Sequence, residues 1–179
     1  MMDPKLRDFL ETQRTQGLAL AAASDLLELV PLDGPPTRRW VARFRCAGLV
    51  ETETGTIVEG DDFWAGITFR EDHLRAVDPR MLVTWLRPRL WHPNVLGPLV
   101  CLGHTGVGIS LVEIVYQLHA IVTYTKATLD DALNPAAAAW AREQAHRFPV
   151  DRRPLKRLDA PAPVGAPDAV DFVVAEVAP

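Results

Sequence analysis

At 179 residues and 48% hydrophobic composition, the chain has apolar material for one filled core and too little length for two independent domains. A formal net charge of -4 and a pI near 5.7 supply no general basic field, which argues against nucleic acid as a partner. The charged start Met1-Met2-Asp3-Pro4-Lys5-Leu6-Arg7 is unlike a secretory leader, no apolar run is long enough for a bilayer, and the only cysteines are Cys46 and Cys101; the expectation is a cytoplasmic protein with at least one free thiol and no membrane contact.

Asp3 stands where it can cap a short helix with Pro4 in its first turn, and Leu6, Phe9 and Leu10 are spaced as one apolar stripe. From Asp25 to Pro88 the pattern changes to short apolar or alternating runs: Leu26 to Val30, Trp40 to Cys46, Phe63 to Phe69 and Met81 to Leu86. Turn sequences such as Asp33-Gly34-Pro35-Pro36 and Glu59-Gly60-Asp61-Asp62 separate them, which predicts a four-stranded antiparallel meander. Cys46 falls within the second run and reads as a core residue. A Pro- and Gly-rich loop from Pro88 to Gly108 contains Cys101.

Ser110 and Glu113 then make a capping-box signature ahead of Leu111 to Tyr124, which is apolar almost all round and belongs in the core. Asn134 and Pro135 supply an N-cap and a first-turn proline for a last helix reaching about Arg147, with Trp140 as its expected anchor. Beyond Phe148 the chain turns to Pro, Ala, Val and charge. The division expected is a domain over 1–150 and a Pro/Ala-rich flexible tail over 151–179. Strands and helices fall in separate blocks, so the fold class is α+β.

Trp91-His92-Pro93-Asn94, followed by Gly97, Val100, Cys101 and Leu102, resembles the active-site signature of the ubiquitin-conjugating enzymes, in which His-Pro-Asn precedes a Gly-x-(Ile/Val)-Cys-Leu segment. The apolar helix soon after the cysteine and Asn134-Pro135 at the next helix support the match in order, most strongly from Leu86 to Gln144. The departures are specific. The interval from His92 to Cys101 is one residue shorter than the usual eukaryotic form, and that from Cys101 to Asn134 is several shorter. Val77-Asp78-Pro79 stands where the family has Tyr-Pro-x-x-Pro-Pro, and Ala136 to Ala139 replace an acidic residue near the incoming lysine. In these respects the chain is similar to the compact forms of bacterial ubiquitin-like conjugation and antiphage operons.

The resemblance implies a ubiquitin-conjugating-like fold: N-terminal helix, meander, active-site cysteine loop and C-terminal helices. It implies a transferase that accepts a ubiquitin-like protein, or another C-terminal carboxylate, from an activating enzyme as a Cys101 thioester. The acyl group then passes to an amine of a protein target, in an antiphage defence setting and without cofactor or metal. A nucleotidyltransferase carboxyl terminus is one such cargo. The activating enzyme would meet the first helix at Lys5, Arg7 and Arg14.

A thioester carrier needs an accessible thiolate, and Cys101 sits among Gly97, Pro98, Gly103, Gly106 and Gly108, an open loop composition. The competing reading, a small buried hydrophobe, ranks below it because of the adjacent motif. The Asn94 amide can donate to the oxyanion formed when an amine attacks the thioester, or it can simply shape a turn. His92 is expected to hold the loop rather than shuttle protons. His104 is a candidate base or a solvated loop residue; His119 reads as a satisfied core histidine, and His73 and His146 as surface residues. Asp130 and Asp131 can orient a lysine, or merely favour the following helix dipole. A metal site from Cys101, His92 and His104 lacks paired-ligand spacing. Two alternatives stay open: a cysteine hydrolase or deconjugating enzyme using Cys101 with His104 or His119, and a non-catalytic scaffold of the same fold. The run Val170 to Val177 alternates as a strand that would add to a partner or to its own sheet.

Overall fold

The computed structural model describes residues 2–103 and 105–157. The Asp3 carboxylate accepts from the Lys5 amide at 3.0 Å and opens helix α1, Pro4–Ala22, as its capping position requires. The helix is 19 residues long, far longer than the short one expected. Its buried side, Leu6, Leu10, Gln13, Gly17 and Leu20, keeps the spacing of one helical face. Gln13 and Gly17 occupy the middle of that stripe, so hydrophobicity alone loses track of it. Gln13 is buried for a reason: its side-chain carbonyl accepts from the Leu111 amide at 2.7 Å.

The strands are β1 Leu27–Pro31, β2 Arg39–Phe44, β3 Gly48–Glu51, β4 Ile57–Gly60 and β5 Phe63–Thr68. A one-turn helix α2, Pro79–Leu82, leads into β6, Val83–Arg87, followed by two-residue strands β7, Val95–Leu96, and β8, Leu99–Val100. Six of these form an antiparallel sheet in the order β1-β2-β5-β6-β8-β7. The meander of four is therefore present as its first four strands. Three features differ from expectation. The fourth run, Met81 to Leu86, begins in α2, and only its later part is β6. Glu59 and Gly60 lie within β4, which pairs with β3 as a separate hairpin rather than forming a turn. The stretch 88–108 is only partly loop, since it holds β7 and β8.

Helices α1 and α3, Leu111–Val122, pack on one another and close the inner face of the sheet. Trp40, Phe44, Phe63 and Ile67 from the strands meet Leu111, Ile114, Leu118 and Ile121 from α3, all fully buried. The capping box of α3 is complete: Glu113 N donates to Ser110 Oγ at 3.1 Å and Ser110 N to the Glu113 carboxylate at 2.9 Å. Cys46 is in this core, as expected, and burial pushes its thiol up to about 12.

Helix α4, Pro135–Glu143, starts at Asn134, whose side chain accepts from Ala137 N at 3.1 Å. Its anchor is a row of alanines, Ala137, Ala138 and Ala141, while Trp140 is only half-buried against Trp91 and Phe148. A short helical turn, Ala145–Arg147, ends it. The fold then continues past the boundary expected at 150. The buried Asp151 carboxylate accepts from Ala47 N at 2.8 Å and pairs with Arg153, Leu155 is buried, and Arg157 N donates to Ala23 O at 2.9 Å. Residues 151–157 are thus a strap joining the β2–β3 turn to the end of α1. The rest of the expected tail, including Val170 to Val177, lies outside the described residues.

Candidate functional site

The segment bearing Cys101 is built on the β7–β8 hairpin. Gly97 takes φ +57° at the first central position of its two-residue turn, a conformation that side chains rarely adopt. The turn sends β8 back along β6, where Thr84 pairs with Leu99 and Trp85 N donates to Pro98 O at 2.9 Å. Cys101 follows β8 directly. Its amide donates to Asn94 O at 2.8 Å, and the residue is half-buried, followed by the fully buried Leu102 and the exposed Gly103.

Asn94 is buried and every polar side-chain group is occupied. Its Nδ2 donates to Cys101 O and to Thr128 Oγ1, both at 3.0 Å, and its Oδ1 accepts from Thr128 N at 2.8 Å. Both amide hydrogens are therefore committed to holding Cys101 and Thr128 together, rather than aimed at open space beside the sulfur. His92 is equally committed. Its Nδ1 accepts from Asn94 N at 3.0 Å, which leaves the hydrogen on Nε2 to be donated to Lys126 O at 3.0 Å. Complete burial pushes its pKa down to about 3, so the ring stays neutral through the physiological range. The expectation that His92 holds the loop fits this geometry; an imidazolium acid does not.

The wall behind the segment comes from the chain after α3. Tyr124, at φ 60°, lays its ring 4.3 Å from that of His92 and donates its hydroxyl to Trp91 O at 2.5 Å. Asn134 N donates to Pro93 O at 2.9 Å, so the start of α4 is fastened to the His-Pro-Asn turn. Lys126 reaches back toward the cysteine. Its Nζ donates to Leu102 O at 2.5 Å and to Gln117 Oε1 at 3.1 Å, and it lies 3.4 Å from where a Cβ on Gly103 would stand. Burial holds its pKa below the ordinary lysine value, against the opposing pull of a Cys101 thiolate. Sequence reasoning missed Lys126, Tyr124 and Thr128. None carries a motif, and each is brought in only by the return of the chain after α3.

The remaining candidates fall elsewhere. Asp130 and Asp131 are exposed, and Asp130 accepts from the Arg142 guanidinium at 3.3 Å. His119 is in the core on α3, tilted against Phe44, but its Nε2 has no partner among the described residues, so it is not the satisfied histidine expected. His73 is not a surface residue: it is buried between Phe9 and Phe69 with Nε2 at 2.9 Å from Ile109 O. His146 is exposed. His104 lies outside the described residues. Among those described, no group of three or more His, Cys, Asp or Glu residues is arranged to hold a metal ion, and no helix is long and apolar enough to cross a membrane.

Cys101 is thus a half-buried residue on a backbone fixed by buried hydrogen bonds, with the Lys126 amine bonded to the carbonyl of the next residue. No protein-family model matches the chain, and no curated protein sequence matches it.

Proposed function

We propose that this chain is a ubiquitin-conjugating-type acyl carrier of the compact bacterial kind. Cys101 takes the carboxyl end of a ubiquitin-like protein, or of another protein with a suitable terminal carboxylate, from an activating enzyme. The thioester is then attacked by an amine of a protein target, forming an amide and returning the thiol. The setting that goes with this reading is bacterial antiphage defence.

The observation that supports it most is the cage of Asn94, His92 and Thr128 around the Cys101 backbone. It fixes a partly exposed cysteine at the end of the β7–β8 hairpin, with the exposed Gly103 two residues on. The order of helix, antiparallel meander, cysteine segment and two further helices agrees with a ubiquitin-conjugating-like fold. His92, with both ring nitrogens engaged, does not offer the base that a hydrolase would need.

The test is mass spectrometry of the protein after incubation with ATP, a candidate activating enzyme and its ubiquitin-like protein. The wild type is expected to carry a reductant-labile adduct. Cys101→Ala should carry none, and Cys101→Ser should carry a more stable ester. Binding of these partners without any adduct would favour a scaffold of the same fold, and cleavage of a conjugate without activating enzyme would favour a hydrolase.

A further inference from the structure

Of the 19 Lys and Arg residues only Lys5, Lys126 and Lys156 are lysines, and Lys126 is the one tied to the cysteine segment. It is fixed at three points. Its amide donates to Ala120 O at 3.0 Å, its carbonyl accepts from His92, and its Nζ bonds Leu102 O and Gln117 Oε1. Leu102 is the residue next to Cys101, so the amine is held against the backbone from which the thioester would project. An ammonium has three hydrogens and a neutral amine has two. Among the described residues the two acceptors therefore satisfy the hydrogens of the neutral amine and leave its lone pair unengaged.

From this geometry we infer that Lys126 is an acceptor built into the chain, taking the acyl group of the Cys101 thioester onto its own Nζ. This rests on the reading of Cys101 as an acyl carrier. In the step, the Nζ lone pair attacks the thioester carbonyl, the carbon–sulfur bond breaks, Cys101 leaves as thiolate, and the nitrogen loses one proton as the amide forms. Burial disfavours the Lys126 ammonium and so favours the neutral amine that attacks. The amine is also supplied at the high effective concentration of a group on the same chain. The product is a self-modified protein with its thiol restored and its lysine capped.

The test needs no activating enzyme. The purified full chain is treated with the 2-mercaptoethanesulfonate thioester of acetylglycine, which acylates accessible thiolates by exchange, and the acyl positions are mapped after hydroxylamine treatment. Lys126 should retain a hydroxylamine-resistant acyl group, on the order of tenfold above Lys5 and Lys156, as proximity to the thioester requires. Cys101→Ala should lose that excess. Lys126→Arg should leave the acyl group on Cys101 with a longer lifetime, and Lys126→Met provides a second variant should arginine disturb the packing. Equal labelling of the three lysines, labelling of Lys126 that persists in Cys101→Ala, a Cys101 lifetime unchanged by either substitution, or a Cys101 that takes no acyl group would each overturn the inference. A failure of enzymatic loading alone would overturn the conjugation reading and leave this result intact.

Discussion

Asn94 separates two accounts of the His-Pro-Asn turn. If its amide served only a developing oxyanion, Asn94→Ala would load Cys101 normally and lose transfer by roughly 100- to 1,000-fold. Its hydrogens are instead bonded to Cys101 O and Thr128 Oγ1, and its oxygen to Thr128 N. Asn94→Ala is therefore expected to lose loading as well as transfer, and to lower stability by about 1–3 kcal/mol for each buried group left unsatisfied. Rate measurements on the two half-reactions, beside a urea titration, check this. Cys101, His92 and Asn94 were legible because they are contiguous or nearly so and chemically distinctive. Lys126 and Thr128 were not: 32 and 34 residues separate them from Asn94 in sequence, and lysine and threonine are ordinary residues in a connection. The burial of His73 was hidden for a related reason, since its neighbours Asp72 and Arg75 are charged and the distant Phe9 and Ile109 join Phe69 in enclosing it.

At the scale of elements, periodicity recovered whatever buries a regular apolar face. The four meander strands stand out because alternate residues turn inward, and α3 because it buries a broad apolar face. The β3–β4 hairpin escaped notice because β4 buries none of its residues fully and its sequence is charged at Glu59. What locks that hairpin in place is a glycine. A Cβ on Gly48 would stand 2.7 Å from Phe63 Cζ and 2.9 Å from both Val122 Cγ1 and the Val122 carbonyl oxygen. The carbonyl belongs to the last turn of α3 and has no rotamer to escape into. Gly48→Ala is thus expected to destabilise the protein by about 1–3 kcal/mol through overpacking, despite alanine's lower conformational entropy in the unfolded chain. The urea midpoint should fall with little change in slope; an unchanged midpoint would mean that β3 and α3 separate freely. By contrast, Ser110→Ala removes only a cap and should cost about 1 kcal/mol.

For the whole molecule, the response to acid follows from where its ionisable groups are buried. Burial lowers the pKa of three histidines in separate parts of the structure: His73 between α1 and β5, His92 beneath the cysteine segment, and His119 on α3. Below the unfolded value near 6.5 the unfolded chain binds protons that the folded one resists, so each depressed histidine draws down stability as pH falls from 6.5 toward its folded value. For His92, neutral down to about 3, the loss between pH 7 and pH 5 is about 2 kcal/mol at roughly 1.4 kcal/mol per pH unit. Asp151 acts in a different window. The Arg153 guanidinium holds its carboxyl well below the usual range, so its contribution is complete above about pH 4 and fades only under stronger acid. The strap it anchors consequently remains fastened across the interval in which the histidines weaken the core. Urea unfolding at pH 7, 6 and 5 should show a steady decline over that interval. His92→Gln, which cannot titrate, should start from a lower stability at pH 7 and lose about 2 kcal/mol less on the way to pH 5. A wild type equally stable at pH 7 and 5 would mean that these rings gain protons without unfolding, and that the wall behind Cys101 is open to water.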